Sequence, residues 1–201
     1  MINVGINGFG RIGKTLFRII AENPDEKINI IGIKDYNNTE VSDNEFVKNM
    51  AYLLQSDSIY GKFPREIDVD GTNMIIGTKK IPFFLKKEIS SVDWNKLECD
   101  ILIEASGTID NIQEVSQCLG SFVKKIIITR GYHNVDLTLV FGVNDNDYNA
   151  KKHNIISTST CTGNAFIPIA NIIHNNFDIN NGILSTIHPV LSYEKMMDGF
   201  N

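Results

Sequence analysis

The sequence predicts an α/β protein with a doubly wound, mostly parallel sheet, and three observations support that fold class. Short apolar runs that are typical of buried strands recur along the chain, beginning at residues 2–6 and 28–33. Stretches with the helical spacing of apolar residues separate these runs. A glycine-rich turn follows the first strand directly and opens a helix. Strands that alternate with helices need crossover connections, which favour parallel strands covered on both faces.

Local signals place the individual elements. The first helix begins near Arg11 and stops before Pro24, and the second follows a capping box that starts at Ser42. Further helices are predicted over residues 109–119 and from residue 161 onward. The predicted strands are residues 2–6, 28–33, a hairpin over 68–76, 80–85, 101–103, 126–129, 137–143, 155–158 and 182–190. We expect the apolar stripe of the first helix to comprise Ile12, Leu16, Ile19 and Ile20.

Composition and charge exclude several classes of function. The chain has 201 residues, of which 42% are hydrophobic, and a net charge of -5, as in an ordinary globular protein. No apolar run reaches the roughly 18 residues of a membrane span, and the pattern of a signal peptide is missing. The lysines are scattered, which argues against nucleic-acid binding, and the spacing of cysteines and histidines predicts no metal site. We therefore expect a cytoplasmic protein with reduced thiols and no membrane partner.

The glycine-rich turn has the spacing of a dinucleotide-binding motif. Gly8, Gly10 and Gly13 form the pattern Gly-x-Gly-x-x-Gly between a strand and a helix, which is the context that this pattern requires. The first glycine allows a tight turn, the second lets a pyrophosphate approach the backbone, and the third lets helix and strand pack closely. A glycine-rich turn used only for packing is the alternative. The motif predicts a Rossmann-type fold that binds phosphates at a helix N-terminus.

Asp35 is the second candidate for nucleotide binding. It ends the second strand, 22 residues past Gly13, where an acidic residue accepts hydrogen bonds from the ribose 2′-OH. Such a carboxylate repels a 2′-phosphate, which favours NAD over NADP, although Lys34 beside it could soften that preference. The alternative is that Asp35 only starts a surface turn.

Two more positions lie where ligands bind in open α/β sheets. Ser106 and Gly107 belong to the loop of residues 104–107 (Glu-Ala-Ser-Gly) that follows the buried strand at 101–103, and Thr129 ends the next strand along the chain. Ligands of such sheets bind outside the carboxyl ends of the strands. We therefore expect all three residues to lie beside the cofactor.

Cys161 is the candidate for a reactive thiol. It lies in a segment of small polar residues, 157–164, that precedes an apolar helical stretch, so it falls at or near a helix N-terminus. The helix dipole and free N–H groups there lower a thiol pKa and favour the nucleophilic thiolate. The alternative is a small buried structural residue, and that is the interpretation for Cys99 and Cys118, which lie in ordinary core patterns.

Three segments carry a resemblance to a known family. They are residues 6–13 (Ile-Asn-Gly-Phe-Gly-Arg-Ile-Gly), 161–164 (Cys-Thr-Gly-Asn) and 185–188 (Ser-Thr-Ile-His), in this order. With them the chain resembles phosphorylating glyceraldehyde-3-phosphate dehydrogenase. The resemblance implies an NAD-binding domain over residues 1–160. Residues 161–201 then form the beginning of an incomplete α+β catalytic domain.

The resemblance also implies roles for particular residues. Cys161 attacks an aldehyde to give a thiohemiacetal, hydride transfer to NAD leaves a thioester, and inorganic phosphate then forms an acyl phosphate. His188 is implied as the general base, and Thr160 and Thr162 as substrate-binding residues. A homotetramer is implied for a complete chain. To the cofactor-binding residues the resemblance adds Asn7, Arg11 and Ile12.

Departures from the family pattern keep several functions open. Gly163 stands where the family has a second threonine, and Leu191-Ser192-Tyr193 stands where its Thr-x-Thr binds the substrate phosphate. We therefore keep, beside glyceraldehyde 3-phosphate, a related dehydrogenase for an unphosphorylated aldehyde. An NAD-binding fragment without turnover also stays open, as does a fragment that associates with a partner through the apolar residues 183–190.

Overall fold

A computed structural model describes residues 1–23, 27–108 and 112–188 of the chain. Strands and helices alternate through most of it, as the sequence pattern predicts. The elements are β1 (Ile2–Asn7), α1 (Arg11–Glu22), β2 (Ile28–Asp35), α2 (Asp43–Gln55), β3 (Ser56–Asp57), β4 (Gly61–Lys62), β5 (Ile67–Asp70), β6 (Asn73–Ile76), β7 (Lys79–Leu85), β8 (Ile101–Glu104), α3 (Ile112–Ser116), β9 (Lys125–Ile128), β10 (Leu137–Thr138), β11 (Ile155–Ser157) and α4 (Cys161–Phe177).

A nine-stranded sheet forms the centre of the fold, with the strand order β10-β11-β9-β8-β1-β2-β7-β6-β5. Every pair from β10 across to β7 is parallel, whereas the two pairs at the other edge, β7 with β6 and β6 with β5, are antiparallel. The predicted Rossmann-type, mostly parallel sheet is confirmed. The sheet grows in two directions from β1. The strands β2, β7, β6 and β5 extend it on one side, and the later strands, beginning with β8, extend it on the other. Ligands of such sheets bind at this switch point.

Two apolar cores cover the two faces of the sheet. Ile6 belongs to a cluster in which Phe9 and Phe17 meet edge to face, with ring centroids 5.7 Å apart. The neighbouring Gly5 points the other way, since a Cβ atom there would lie 2.5 Å from the Trp94 ring of the second cluster. Residues alternate between the faces of a strand, so the clusters lie on opposite sides. Cys99 and Cys118 are buried in the second cluster, as predicted.

The apolar stripe predicted for α1 is partly wrong. Ile12 and Ile19 are about half exposed, at 48% and 53%, whereas Phe17 and Arg18 are buried. Arg18 is held inside because its guanidinium donates to the carbonyl of Leu54 at 2.5 Å. The other terminal nitrogen, Nη1, has no hydrogen-bond partner within the described part of the chain but lies 3.7 Å from the Glu22 carboxylate. Contacts that are distant in sequence, such as the one with Leu54, here override the hydrophobic pattern.

The strand predicted over residues 182–190 is not formed where the structure describes it. Residues 182–188 have no regular secondary structure, and the side chains of Ile183 and Ile187 are exposed. A strand requires a neighbour for its backbone hydrogen bonds, and none of the described strands pairs with this segment. Residues 189–190 and the Leu191-Ser192-Tyr193 segment lie outside the described residues. The first helix ends at Glu22, before Pro24, as predicted.

The remaining predicted elements are shorter than expected or close to their predicted bounds. The helix predicted over 109–119 is α3, and the strand predicted over 137–143 is the short β10. The Ser42 cap of α2 is confirmed, because its hydroxyl accepts the N–H of Glu45 at 3.3 Å. Among the helices that the structure describes, none has the length and apolar character to span a membrane.

Candidate active site

The turn between β1 and α1 is shaped by three glycines. Gly8 has a φ of +90°, and a Cβ atom there would lie 2.3 Å from Cα of Ser106. A Cβ atom at Gly13 would lie 2.1 Å from the carbonyl oxygen of Gly8. At Gly10, by contrast, no atom lies within 4 Å of that position. Packing therefore requires the outer two glycines, whereas Gly10 leaves space for a phosphate to approach the α1 N-terminus.

A cleft of about 560 Å³ lies in front of this turn, at the switch point of the sheet. Its size falls within the range of about 300–1,000 Å³ that is usual for ligand sites. The predicted cofactor-binding residues that line this cleft are Asn7, Gly8, Gly10, Asp35 and Ser106. The other predicted ones, Arg11, Ile12, Gly107 and Thr129, are not among its lining residues.

Two of the residues outside the cleft lining have partners within the protein. Arg11 lies 3.9 Å from the carboxylate of Asp57, beside the α1 N-terminus. Thr129 donates its N–H and its hydroxyl to the carbonyl of Glu104, at 3.0 and 3.1 Å. Thr129 therefore ties the end of β9 to the end of β8.

Asp35 connects the glycine-rich turn to the end of β2. One carboxylate oxygen accepts the N–H of Phe9 at 3.0 Å, and the other accepts the N–H of Tyr36 at 2.7 Å. A carboxylate has about four acceptor positions, so two remain for the hydroxyls of a ribose. Lys34 beside it is buried and donates to the carbonyl of Lys87 at 2.7 Å, and burial lowers its pKa.

Sequence reasoning missed Lys14, and it gave Glu104 no role beyond its place in the loop of residues 104–107 beside the cofactor. Glu104 is only 3% exposed and accepts hydrogen bonds from the Asn7 side chain and from the N–H and hydroxyl of Ser106. Burial raises the pKa of its carboxyl group, while these hydrogen bonds lower it. Lys14 lines the cleft, donates to the carbonyl of Phe9 at 2.7 Å and has a pKa lowered by burial. An acidic residue directly after a buried strand was the available signal for Glu104.

The residues present fit a dinucleotide. Gly10 leaves room at a helix N-terminus for phosphates, and Asp35 offers acceptors to ribose hydroxyls. The side-chain oxygen of Asn7 is buried and has no hydrogen-bond partner within the described part of the chain. A buried acceptor without a partner is costly, so this atom suits a ligand that donates a hydrogen bond.

The candidate thiol is paired with a histidine. Cys161 is the first residue of α4, and its Sγ lies 3.3 Å from Nε2 of His188. The hydrogen bond with His188 lowers the pKa of the Cys161 thiol, and a weaker contact with Thr162 acts in the same direction. Burial instead raises the pKa of Cys99 to about 11 and that of Cys118 to about 12. Among the three thiols, only Cys161 is both exposed and shifted towards the thiolate.

The loop before α4 is fixed by local hydrogen bonds. The Thr160 hydroxyl caps the helix by accepting the N–H of Gly163 at 3.0 Å, and Asn164 donates its amide to the Thr158 carbonyl at 2.7 Å. The Thr162 hydroxyl lies 4.0 Å from Sγ of Cys161. A Cβ atom at Gly163 would lie 2.6 Å from the Ser159 hydroxyl, which gives a physical reason for glycine where the family has threonine.

These two arrangements define the class of protein. The chain carries a nucleotide cleft at the switch point of a Rossmann-type sheet and, in another segment, a cysteine–histidine pair. The two together are typical of proteins that combine a dinucleotide with a reactive thiol. Within residues 1–23, 27–108 and 112–188, no group of three or more histidines, cysteines or acidic residues could hold a metal ion.

The chain belongs to the glyceraldehyde 3-phosphate dehydrogenase family. The NAD binding domain of that family matches residues 2–112, and its C-terminal domain matches residues 160–201. NAD is therefore the cofactor of this fold. The chain is 32% identical over 197 residues to glyceraldehyde-3-phosphate dehydrogenase of Geobacillus stearothermophilus and 34% identical over 198 residues to that of Thermotoga maritima. It is also 34% identical over 199 residues to glyceraldehyde-3-phosphate dehydrogenase 1 of Kluyveromyces marxianus.

The alignments cover different shares of the two partners. They include 98% of this chain for the first two relatives and 99% for the third. They include only 56% of the Geobacillus relative and 57% of each of the other two. This chain therefore spans little more than half the length of the relatives it matches.

Proposed function

We propose that the protein acts in the NAD-dependent oxidation of glyceraldehyde 3-phosphate, or a closely related aldehyde, to an acyl phosphate. One observation carries the proposal: Cys161 Sγ lies 3.3 Å from His188 Nε2 on a chain with an NAD-binding domain. A cysteine paired with a histidine is a recurrent nucleophile, because the imidazole takes the thiol proton at neutral pH.

The first step of the proposed reaction is addition to the aldehyde. His188 accepts the proton of Cys161, and the thiolate attacks the carbonyl carbon, so that a C–S bond forms and the carbonyl oxygen becomes an oxyanion. The imidazolium stabilises this oxyanion and then returns the proton to it, which gives a neutral thiohemiacetal and a neutral His188. The α4 N-terminus supports the step, since its dipole favours negative charge on the sulfur.

The second step oxidises the thiohemiacetal, and the third releases the product. Bound NAD would supply the hydride acceptor for this oxidation. His188 takes the hydroxyl proton, and a thioester remains on Cys161. A phosphate oxygen then attacks the thioester carbon, the C–S bond breaks and the thiolate is restored. Thr162, whose hydroxyl lies 4.0 Å from the sulfur, is the proposed donor to that phosphate, and Thr160 helps through its cap of α4.

The test is formation of NADH, followed by its absorbance, from NAD, inorganic phosphate and glyceraldehyde 3-phosphate. We expect NADH formation that depends on phosphate and is lost in Cys161→Ser. The matched control is Cys118→Ser, which removes a buried thiol and should retain the activity. A parallel reaction with unphosphorylated glyceraldehyde measures the substrate preference. Activity in Cys161→Ser equal to that of the unaltered chain would contradict the proposal.

A second candidate function is NAD binding without turnover. It is supported by the exposure of the thiol region, because α4 has no buried side chain and Ile183 and Ile187 are exposed. A catalytic pair needs its two groups held at hydrogen-bond distance. NAD binding by calorimetry combined with no NADH formation from either aldehyde would favour this second candidate.

Assembly and location complete the proposal. We propose that the complete protein forms a homotetramer in the cytoplasm, with inorganic phosphate and the aldehyde as its small-molecule partners. Light scattering of the purified complete protein measures the subunit number, and a monomeric mass would contradict the assembly.

A further inference from the structure

We propose that Glu104 is a positioning residue that orients the side-chain amide of Asn7 and so presents a hydrogen-bond acceptor to the cofactor. Glu104 does not line the nucleotide cleft, whereas Asn7 and Ser106, which it holds, both do. It therefore acts through its neighbours. This inference rests on the proposed function only in that it requires NAD to bind in this cleft.

The Glu104 carboxylate accepts three hydrogen bonds from its neighbours. One carboxylate oxygen accepts the Asn7 amide N–H, and the other accepts the N–H of Ser106 at 2.8 Å and the Ser106 hydroxyl. All three partners are donors. The site thus suits an ionised carboxylate, which can only accept hydrogen bonds. The Lys34 ammonium favours the ionised form, against the burial that raises the pKa of Glu104.

Glu104 fixes the orientation of the Asn7 side-chain amide. An asparagine carries one acceptor oxygen and one donor nitrogen, and an acceptor-only neighbour fixes which of them it meets. Glu104 binds the nitrogen, so the oxygen is left for another partner, and Asn7 is one of the residues that line the cleft. Asn7 is 1% exposed, and its oxygen has no partner within the described part of the chain.

The Asn7 oxygen can bind only a group that donates a hydrogen bond. Phosphate oxygens of a dinucleotide accept hydrogen bonds, so they gain nothing from a second acceptor. The ribose hydroxyls and the amino groups of NAD are donors and can pair with the Asn7 oxygen. The arrangement therefore selects a hydroxyl or amino group at this position, beside the turn that leaves room for the phosphates.

The experiment is a double-mutant cycle on NAD affinity, measured by calorimetry with the full 201-residue chain. Glu104→Gln keeps an oxygen for Ser106 but turns an NH₂ group towards Asn7, so the Asn7 oxygen can no longer serve the cleft. We expect Glu104→Gln and Asn7→Ala each to weaken NAD binding by about tenfold, since a buried acceptor is lost. In the Asn7→Ala background, Glu104→Gln should cost less than about twofold, because the residue through which it acts is gone.

A matched control makes the same chemical change at the opposite end of the same strands. Asp100 accepts the N–H of Asn3 at 2.7 Å, far from the cleft, so Asp100→Asn should leave NAD affinity unchanged. Wild-type affinity in Glu104→Gln, or effects of Glu104→Gln and Asn7→Ala that multiply in the double variant, would overturn the inference and leave the proposed function intact. Absence of NAD binding by the unaltered chain overturns both.

A second measurement needs no variant and no cofactor. In NMR spectra of the unaltered chain, the side-chain NH₂ resonances of Asn7 should shift as the Glu104 carboxylate is protonated with falling pH. Resonances of Asn7 that do not follow the Glu104 titration would overturn the inference, even if Glu104→Gln fails to fold.

Discussion

The nucleotide region and the thiol region of this protein are held in place by different kinds of structure. Around the cleft, the contacts join the ends of neighbouring strands of the sheet, such as Phe9 with Asp35 and Asn7 with Glu104. Cys161, by contrast, begins a helix without buried side chains and is oriented by a local cap and by one contact with His188. The cofactor site is therefore built from paired strands of the sheet, whereas the reactive thiol and its partner His188 lie on exposed segments outside the sheet.

This difference predicts how each region responds to change. A substitution in the nucleotide turn displaces two strands of the sheet, so we expect it to lower the free energy of unfolding of the whole domain. A substitution near the thiol alters an exposed segment, so we expect it to change mainly the rate at which Cys161 reacts. The following substitutions test this contrast, from the largest expected effect to the smallest.

Gly8→Ala should cause the largest loss. The new methyl group would lie 2.3 Å from Cα of Ser106, and the φ of +90° disfavours any side chain. We expect the free energy of unfolding, measured by urea denaturation, to fall by about 3 kcal/mol. Neither the backbone of the glycine turn nor that of Ser106 can move without loss of packing.

Gly10→Ala is the matched comparison for Gly8→Ala. Its methyl group meets no atom within 4 Å, so we expect stability to change by less than about 0.5 kcal/mol. NAD affinity should still fall, because the methyl group occupies the space left for the phosphates. Equal destabilisation by the two substitutions would show that the turn is not held against the Ser106 loop.

Gly163→Thr should have a smaller effect, confined to the thiol region. Its Cβ would lie 2.6 Å from the Ser159 hydroxyl, and we expect a loss of about 1 kcal/mol together with slower alkylation of Cys161. Adding Ser159→Ala removes the colliding oxygen and should restore the alkylation rate. If Gly163→Thr alone reacts like the unaltered chain, the proposed reason for this glycine is wrong.

Thr160→Ala should have the smallest effect. It removes the hydroxyl that accepts the Gly163 N–H at 3.0 Å, and loss of such a cap costs about 1 kcal/mol or less in an exposed helix. Hydrogen exchange at the Gly163 amide measures the change, and Thr160→Ser should behave like the unaltered chain. Unchanged exchange in Thr160→Ala would mean that the cap does not order this helix start.

The sequence predicts the parts of this molecule that depend on local patterns. The fold class, the glycine turn, the Ser42 cap and the position of Cys161 at a helix start all follow from spacings of a few residues. The roles given to the candidate site residues stay predictions. The bond between Glu104 and Asn7 and the bond between Arg18 and Leu54 join residues that are far apart in sequence, so no local pattern reveals them. An apolar run such as 182–188 does not show whether a neighbouring strand is present to pair with it.

The most direct test of the account is the pH dependence of Cys161 alkylation by iodoacetamide, in the unaltered chain and in His188→Ala. Cys99 and Cys118 are buried with raised pKa values, so the fast reaction reports Cys161 alone. Because His188 lowers the Cys161 pKa, we predict a midpoint below the value of about 8.5 of an ordinary thiol, and a higher midpoint in His188→Ala. Two identical profiles with midpoints near that of an ordinary thiol would contradict the account.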